Sequence, residues 1–364
     1  MRALPLAALA LVACAGPEPA PAQAADGLVL EALAPGGAPL TVWLRGQKLG
    51  DPAEAGLGVP RRALPRRYLA PAVVDAHTHL TYVNRTYGPT TRCPGLPEPC
   101  TVQDALLEAG VAAAVDLASP LDALPTGRLR VAYSGPMLTA PGGYPTNAWG
   151  YDGYGWPVET PAQAEAAVER LAELGARVLK LPLDSRPALD TVTASAAVAR
   201  AHRLGMTVAA HAPTVAAVEA ALALGVDLLA HAPVEPISDA LAARWAPRAV
   251  VGTLSSFSSG AAAQDNLHKL AAAGARVLYG TDLGNGNRPG ISAAELAGLT
   301  AALGPAGALE AATAAPAAYF GFDDLGALLP GKAACVLVLA EDPSVDPTAL
   351  ARPLEVLGEG CAAY

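Results

Sequence analysis

The sequence predicts an α/β fold in which eight strand–helix units close into a (β/α)8 TIM barrel, with a small β-sandwich domain built from both chain ends. The length of 364 residues suits one large domain plus a small accessory one. Apolar residues make up 52% of the chain, which is enough for a large core. Through the middle of the chain, short apolar runs alternate with alanine-rich helical stretches, a pattern typical of parallel α/β architectures.

Eight apolar, β-leaning runs are the candidate barrel strands. A doubly wound sheet is the alternative, although it usually has fewer strands and a phosphate-binding glycine loop. The glycine-rich segment 284–290 lacks the strand–GxGxxG–helix spacing of such a loop. We therefore predict a barrel whose strands lie at 71–77, 111–118, 129–135, 176–182, 206–212, 226–232, 249–255 and 275–282.

Several helices between these strands have recognisable ends. Thr160 and Gln163 form a predicted capping box, with Pro161 at the first helical position and Gly175 as the stop. The segments PTVAAVEAALALG and NLHKLAAAG end on glycine in the same way. These boundaries predict the helices of the strand–helix units.

Both ends of the chain contain short strand-like runs broken by glycine and proline. LVLEAL and LTVWLRG lie near the N-terminus, and ACVLVLAED and LEVLGEGCAAY near the C-terminus. Because chain termini often lie close together, we expect residues 27–70 and 325–364 to join into the small β domain. Residues 71–324 would then form the barrel.

The first 14 residues, MRALPLAALALVAC, predict a lipoprotein signal peptide. One arginine precedes an apolar stretch that is too short to span a bilayer as a mature helix. Residues 11–14 resemble a bacterial lipobox, in which Cys14 is lipidated; an ordinary signal peptide cleaved nearby is the alternative. Residues 15–26 are rich in proline and alanine and suit a tether. We expect an exported protein, in the bacterial periplasm or cell envelope, attached to the membrane through the lipid.

The cysteines agree with export. The chain has five, and removal of Cys14 leaves four, an even number as expected for disulfide pairing. Cys93 and Cys100 bracket the segment PGLPEP and could close a short disulfide loop. Cys335 and Cys361 would then form the second pair. The sequence alone does not fix this connectivity, and four free thiols are the alternative.

The charge distribution does not favour a nucleic-acid partner. The net charge is −9, and the basic residues are scattered. One short basic cluster lies among prolines just before a predicted strand, and we interpret it as a solvated edge. It consists of Arg61, Arg62, Arg66 and Arg67. The sequence predicts no particular oligomeric state.

Four of the six histidines lie at or just after the C-terminal ends of predicted barrel strands. In a TIM barrel the functional residues lie at these strand ends. His77 and His79 are one residue apart, so on a strand their side chains point to the same side. Imidazole suits zinc and similar ions, and a carboxylate can complete such a site. We interpret the remaining histidines, His202 and His268, as surface or packing residues. The other strand-end candidates are His211, His231 and Asp282.

The chain resembles the amidohydrolase superfamily in five short pieces, DAHTH, VLKL, AAHA, LLAHA and YGTD. Two longer segments also resemble this superfamily. LAPAVVDAHTH leads into the predicted barrel, and LGALLPGKAACVLVLAEDP follows it near the end of the chain. The subgroups most similar in pattern are the imidazolonepropionase-like and prolidase-like metal-dependent hydrolases. The resemblance covers roughly residues 40 to 350. The full set of matching pieces is a specific indication of this superfamily, whereas any single piece would be a weak one.

The resemblance implies a centre of one or two divalent metal ions, expected to be zinc. His77 and His79 would bind the more buried ion, and His211 and His231 the second. Lys180 would be carboxylated on its amine and bridge the two ions, because a carbamate can bridge cations and an ammonium cannot. Its position in an apolar run supports this role, since an unpaired ammonium there would be costly.

The implied reaction is hydrolysis of a carbon–nitrogen bond in a linear or cyclic amide of a small-molecule substrate, by a metal-activated hydroxide. Asp282 would ligate the first ion, take a proton from the water and pass it to the leaving nitrogen. One alternative is a phosphotriesterase- or lactonase-like metallohydrolase. Another is a catalytically inactive substrate-binding lipoprotein, against which the intact ligand set argues.

The segment after the third predicted strand is the clearest indication of the substrate. Residues 144–156 contain five of the chain's 17 aromatic side chains, which predicts an aromatic wall or lid over the site. A self-packed surface loop is the alternative. Tyr144 stands where relatives with a GP…GGH segment place a histidine near the substrate, and in the closing segment Cys335 departs from the usual aspartate. The substrate-binding candidates are Tyr144, Asn147 and Trp149, with Arg186 and Arg288 as further candidate anchors.

Overall fold

The computed structural model describes five stretches of the chain, which are residues 27–82, 101–125, 127–256, 260–285 and 288–362. Four sequence-based expectations lie outside these residues and stay predictions. They are the signal peptide, the tether, the lipidation of Cys14 and the pairing of Cys93 with Cys100.

The strands fall into one sheet made from the chain ends and several parallel sheets made from the middle. In chain order they are β1 (Leu28–Leu33), β2 (Pro39–Arg45), β3 (Lys48–Gly50), β4 (Arg61–Pro71), β5 (Val73–Thr78), β6 (Val111–Asp116), β7 (Arg130–Tyr133), β8 (Met137–Thr139), β9 (Gly155–Pro157), β10 (Val178–Pro182), β11 (Thr207–His211), β12 (Leu228–Leu229), β13 (Ala249–Val251), β14 (Arg276–Leu278), β15 (Val336–Leu339) and β16 (Glu355–Leu357).

The α-helices lie between these strands and before the C-terminal pair. They are α1 (Val102–Glu108), α2 (Pro161–Glu173), α3 (Thr191–Arg203), α4 (Val215–Leu224), α5 (Asp239–Trp245), α6 (Gly260–Ala272), α7 (Ala293–Ala312) and α8 (Ala314–Tyr319). Among the described helices, none has the length and apolar composition needed to cross a bilayer.

Strands from both chain ends build one six-stranded sheet, in the order β16-β15-β4-β1-β2-β3. Leu30, Val42 and Leu69 are buried on this sheet together with Val336 from the C-terminal end. The predicted β-sandwich is not confirmed, because the described residues of the two ends form this single sheet. Cys335 is joined to Cys361 by a disulfide bond, which confirms the predicted pairing.

The middle of the chain forms a mixed α/β fold with parallel sheets. One sheet runs β10-β11-β12-β13-β14, a second runs β5-β6-β7, and β8 pairs with β9. All eight predicted strands are confirmed as strands, although the observed ones are shorter at most ends. Strands β8 and β9 were not predicted, because runs of three residues are too short to show the alternation of a strand.

Backbone hydrogen bonds connect the two larger parallel sheets. Ala76 donates to the carbonyl oxygen of Tyr279 at 2.9 Å, and His79 donates to Leu283 at 2.7 Å, so β5 lies along the segment after β14. At the other junction, the amide of Arg177 just before β10 donates to the carbonyl of Tyr133 in β7 at 3.1 Å.

The two faces of the strands pack against different partners. In β10 and β11, Leu179 and Val208 belong to a large apolar cluster that includes the surrounding helices. Val178 and Ala209 belong to a second cluster, on the other face. Because side chains alternate along a strand, Lys180 and His211 lie on the same face as Val178 and Ala209. The sheet therefore directs both polar side chains away from the helices of the first cluster.

The predicted helix ends are largely confirmed. The hydroxyl of Thr160 accepts the amide of Gln163, as in a capping box, at 3.2 Å. The side chain of Gln163 accepts the amide of Glu159 at 2.7 Å, so the second half of the predicted capping box is displaced by one residue. Gly175 and Gly225 have φ values of +90° and +79°, a region that glycine enters without steric cost.

Candidate metal centre

Strand β5 carries a buried carboxylate two residues before the first histidine. Asp75 is fully buried and accepts the amide of His77 at 3.1 Å. It also accepts the amide and the hydroxyl of Thr281, at 3.0 and 2.6 Å. Burial raises the pKa of Asp75 to about 7, although these hydrogen bonds act in the opposite direction. Asp75 thus ties β5 to the segment that follows β14.

The imidazole of His77 is fixed in one orientation. Its Nδ1 lies 2.8 Å from the carbonyl oxygen of Ala230, so Nδ1 carries the hydrogen and Nε2 presents a lone pair. Nε2 is buried and has no hydrogen-bond partner within the described part of the chain. Burial, followed by the nearby charge of Lys180, lowers the pKa of His77 well below its usual value. A lowered pKa favours the neutral ring, which is the form that binds metal ions.

Asp282 faces both histidines of the DAHTH segment. Its Oδ1 lies 3.1 Å from Nε2 of His79 and 3.4 Å from Nε2 of His77. Its backbone has a φ of +51° and donates to the carbonyl of His77 at 2.8 Å. Asn285 donates to Oδ1 at 3.1 Å. Burial raises the pKa of Asp282, but the ring of His77 and the hydrogen bond from His79 outweigh it and hold that pKa at about 2.

Asp116, at the end of β6, supports the chain around His79. It is fully buried, and its Oδ2 accepts the amide of Leu80 at 2.7 Å. Thr78 donates its hydroxyl to the carbonyl of Val115 at 3.0 Å. Burial raises the pKa of Asp116 to about 7, against the lowering effect of His79. These contacts fix the backbone on both sides of His79.

Lys180 lies in the middle of β10 and is fully buried. Its Nζ has no hydrogen-bond partner among the described residues. Burial lowers the pKa of Lys180 to about 7, while Asp282 acts in the opposite direction. A buried amine with a lowered pKa is partly neutral near pH 7, as an amine must be to react with carbon dioxide.

His231 and His211 continue the cluster through ring contacts. The ring of His231 lies 4.6 Å from that of His77 and 4.8 Å from that of His211, measured between centroids. Nδ1 of His231 lies 2.9 Å from the hydroxyl of Thr253, and Nε2 of His211 lies 3.5 Å from a carboxylate oxygen of Asp184. Burial, followed by repulsion from His77, lowers the pKa of His231 well below its usual value.

These residues fit a divalent cation. One ligand atom from each of His77, His79 and Asp282 lies within 4.8 Å of the others. Two imidazoles and one carboxylate are a donor set typical of zinc and similar ions. The buried, unpartnered atoms at His77 Nε2 and Lys180 Nζ are also explained if a cation or a modification provides their missing partner.

A cavity of about 310 Å³ opens next to this centre, lined by Tyr144, Trp149, His211, Ser256, Asp282 and Asn285. The indole nitrogen of Trp149 donates to the hydroxyl of Tyr144 at 2.7 Å. Tyr144 stacks on His211 with centroids 5.2 Å apart, and Trp149 lies 5.0 Å from the ring of His79. The aromatic wall that the sequence predicts therefore includes Tyr144 and Trp149.

The other substrate-binding candidates are not brought to the cavity wall. Asn147 is exposed, and its amide donates to the carbonyl of Arg186 at 3.5 Å. Arg186 donates to the carbonyl of Ser185, and Arg288 is exposed. The two helical histidines are confirmed as surface and packing residues, since His202 pairs with Asp227 at an exposed site and His268 contacts a helix carbonyl.

Several residues of the site were not predicted, and some had a signal in the sequence. Asp75 precedes His77 by two positions in the apolar run VVDAH, so strand alternation could have placed it beside the histidines. Asp116 likewise ends an apolar run. Thr253, Ser256 and Asn285 have no such signal, because their roles depend on contacts between distant segments.

Comparison with known proteins identifies the family. A model described as the amidohydrolase family matches residues 68–358, which is most of the chain. No curated protein matched the chain.

Solved structures with the same fold cover nearly the whole chain. A candidate prolidase from Bifidobacterium longum is 23% identical, with 93% of this chain and 94% of that chain covered and a TM-score of 0.74. A Xaa-Pro dipeptidase with methionine bound in its active site is 19% identical, with coverages of 92% and 99% and a TM-score of 0.72. The ochratoxinase of A. niger is 20% identical, with coverages of 92% and 95% and a TM-score of 0.70. At these identities the likeness concerns the fold.

Proposed function

This chain belongs to the amidohydrolase family and is a hydrolase acting on carbon–nitrogen bonds, and we propose that it cleaves the amide of a small molecule at a divalent metal centre. The observation that carries this proposal is the buried group of His77, His79 and Asp282, whose ligand atoms lie within 4.8 Å of one another. When bound there, a divalent cation supplies Lewis acidity towards water and the substrate carbonyl.

Asp282 is the proton carrier of this proposal. Its low pKa keeps the carboxylate ionised, so it can accept a proton from the attacking water. After the water oxygen has bonded to the carbonyl carbon and the carbon–nitrogen bond breaks, the same carboxyl group returns the proton to the leaving nitrogen. Asn285 and His79 hold the carboxylate in place through Oδ1.

Tyr144 is suited to bind the substrate carbonyl or an adjacent polar group. Its hydroxyl oxygen already accepts the indole hydrogen of Trp149, so its own hydrogen is available to donate. The ring is held by stacking on His211, and its backbone amide donates to Ser185 at 2.8 Å. The faces of Tyr144 and Trp149 favour an apolar or aromatic substituent next to the amide.

We propose that Lys180 is carboxylated and that zinc is the metal, with a second ion bound by His211 and His231. The full burial and unpartnered Nζ of Lys180 support this, since the two oxygens of a carbamate could bridge two ions, which an amine cannot do. A mass increase of one carbon dioxide on Lys180 under native conditions, and about two ions per chain, are the expected results. An unmodified Lys180 in the metal-loaded protein would contradict this part.

For the architecture, we propose that the parallel strands close into a (β/α)8 barrel spanning residues 71–324, with residues 27–70 and 325–364 as the small domain. Support comes from the hydrogen bonds of β5 to the segment after β14 and of Arg177 to Tyr133. The likeness to a prolidase-like fold over 93% of the chain also supports it. A crystal structure with an open seam between β5 and β14 would contradict it.

For the location, we propose export to the bacterial cell envelope with a lipid on Cys14. Support comes from the apolar leader and the LVAC sequence at residues 11–14. Cys14→Ser should move the protein from the membrane fraction to the soluble fraction of cells. Equal amounts of wild type and variant in the membrane fraction would contradict lipid anchoring.

The function is tested with purified protein and a panel of substrates. The panel contains Xaa-Pro dipeptides, N-acyl amino acids, lactones and aryl phosphates, each assayed before and after treatment with a chelator. We expect turnover of at least one amide, loss of this turnover with the chelator and recovery with zinc, and a kcat about 100- to 10,000-fold lower in Asp282→Asn. Turnover confined to lactones or aryl phosphates would favour the alternative metallohydrolase, and metal binding without any turnover would favour the binding protein.

A further inference from the structure

Glu295 is a fully buried carboxylate outside the metal centre. It is the third residue of a helix that begins after Ser292, a position from which glutamate usually reaches back to the amide of the capping residue. Here the hydroxyl of Tyr279 accepts that amide instead, at 2.7 Å. The capping residue is therefore satisfied without Glu295, and the carboxylate is directed elsewhere.

The carboxylate of Glu295 contacts the turn that follows β13, residues 252–256. Its Oε2 accepts the amide of Ser255 at 2.8 Å. The other oxygen lies where Gly252 has no side chain, since a Cβ added to Gly252 would be 2.3 Å from Oε1. The turn and the carboxylate are thus closely matched, and Gly252 provides the space for this contact.

The same turn reaches the metal centre at two points. Thr253 has a φ of +48°, a strained conformation for a β-branched residue that the surroundings must hold. Its hydroxyl lies 2.9 Å from Nδ1 of His231. Ser256 donates to the carbonyl of Thr281 at 2.6 Å, directly before Asp282, and lines the cavity.

We propose that Glu295 is a positioning residue for the metal centre. By holding Ser255, it keeps the turn 252–256 in the conformation that places Thr253 against Nδ1 of His231. The bond to Thr253 then fixes the ring with Nε2 directed to the site. This inference rests on the proposed metal-binding function, in which His231 is a ligand. Groups that orient a ligand in this way typically change metal affinity by about 10- to 100-fold.

The test measures metal affinity, independently of activity. The full-length protein is stripped of metal, and zinc binding is measured by competition with a chelator, with cobalt(II) absorption as a probe of the ligand geometry. The zinc ion concerned is the second one, which the proposal assigns to His211 and His231. We expect Glu295→Ala to bind this ion about 10- to 100-fold less tightly than wild type. The matched control is Glu310→Ala, an exposed glutamate beyond the break in α7 at Gly304, which should bind zinc like the wild type.

Further variants separate positioning from general stability. Glu295→Gln keeps an oxygen acceptor for Ser255 and should retain most of the affinity. Gly252→Ala places a Cβ against Glu295 and should weaken binding as Glu295→Ala does. Thr253→Val keeps the shape but removes the hydroxyl, so it should weaken binding to a similar degree, and the double variant with Glu295→Ala should show little further loss.

The outcomes are distinguishable. Zinc affinity and cobalt spectrum equal in Glu295→Ala and Glu310→Ala would overturn the proposal. If the double variant loses as much zinc affinity as Glu295→Ala and Thr253→Val lose together, Glu295 does not act through Thr253. If the alanine variant fails to fold, Gly252→Ala takes its place in the comparison with Glu310→Ala, and equal zinc affinity in those two variants would overturn the proposal. A wild-type chain that binds no zinc would overturn the metal centre itself, and with it the positioning role.

Discussion

Two groups of residues meet at the cavity and differ in how they are held. The buried group, His77, His79 and Asp282, is at most 2% exposed. The backbone amide of Asp282 donates to the carbonyl of His77, that of His79 donates to Leu283 after β14, and that of His77 donates to the carboxylate of Asp75. The open group, Tyr144 and Trp149, lies in the loop between β8 and β9, is partly exposed and is held mainly by side-chain contacts.

The difference indicates a division of labour between strands and loop. Strand ends hold ligand atoms in fixed positions, which a metal centre requires. A loop with aromatic side chains can change without disturbing the strands, and such loops usually determine which substrate fits. Changes in the buried group should therefore abolish the chemistry, and changes in the open group should alter affinity for the substrate.

The largest effect is expected in the buried group, with Asp282→Asn. In the proposed mechanism the substitution removes the proton acceptor and one metal ligand, so kcat should fall by about 100- to 10,000-fold. Circular dichroism should show a folded chain, because the amide keeps the size of the carboxylate. A variant with wild-type kcat and metal content would show that the buried group does not carry the reaction.

A second effect concerns the pH dependence of stability, and it tests how strongly burial affects a carboxylate near the metal centre. Burial raises the pKa of Glu295 from 4.5 to about 8. The folded state therefore binds a proton that the unfolded state has lost, and the resulting stability is complete below about pH 4.5 and is lost as the pH rises to about 8. One such group contributes a slope of up to about 1.4 kcal/mol per pH unit.

This dependence is measured as the free energy of unfolding of the metal-free protein in urea, between about pH 5 and pH 8. Glu295→Gln cannot titrate and should have a smaller slope than wild type, while Asp75, whose pKa is also raised by burial, leaves part of the slope below about pH 7. Equal slopes in wild type and variant would show that Glu295 is not protonated in the folded state.

The smallest effect is expected in the open group, with Tyr144→Phe. Loss of the hydroxyl removes the hydrogen bond to Trp149 and the proposed one to the substrate, so we expect KM to rise by about tenfold with a smaller change in kcat. Asn147→Ala, a change in the same loop but away from the cavity wall, is the matched control and should leave both constants unchanged. A large fall in kcat in Tyr144→Phe would show that the tyrosine takes part in the catalytic step. It would contradict the distinction between the buried group and the open group.

Much of the site could be predicted because strand periodicity reports local geometry. The spacing of His77 and His79, and the position of Asp282 after an apolar run, placed them on one side of the fold, and the structure brings them together. Two supporting residues could not be found in this way, because their contacts depend on tertiary packing: Thr281 lies 206 residues from its partner Asp75, and Glu295 lies 40 residues from its partner Ser255. Asn147 was a candidate by composition alone, and the loop turns it outward.

The most direct test of the metal centre is a crystal structure of the zinc-loaded protein, with anomalous scattering recorded at the zinc edge. We predict an anomalous peak between His77, His79 and Asp282, with distances of about 2.0–2.2 Å to Nε2 of each histidine and to a carboxylate oxygen. A peak elsewhere in the molecule, or full occupancy by zinc without these three ligands, would contradict the account.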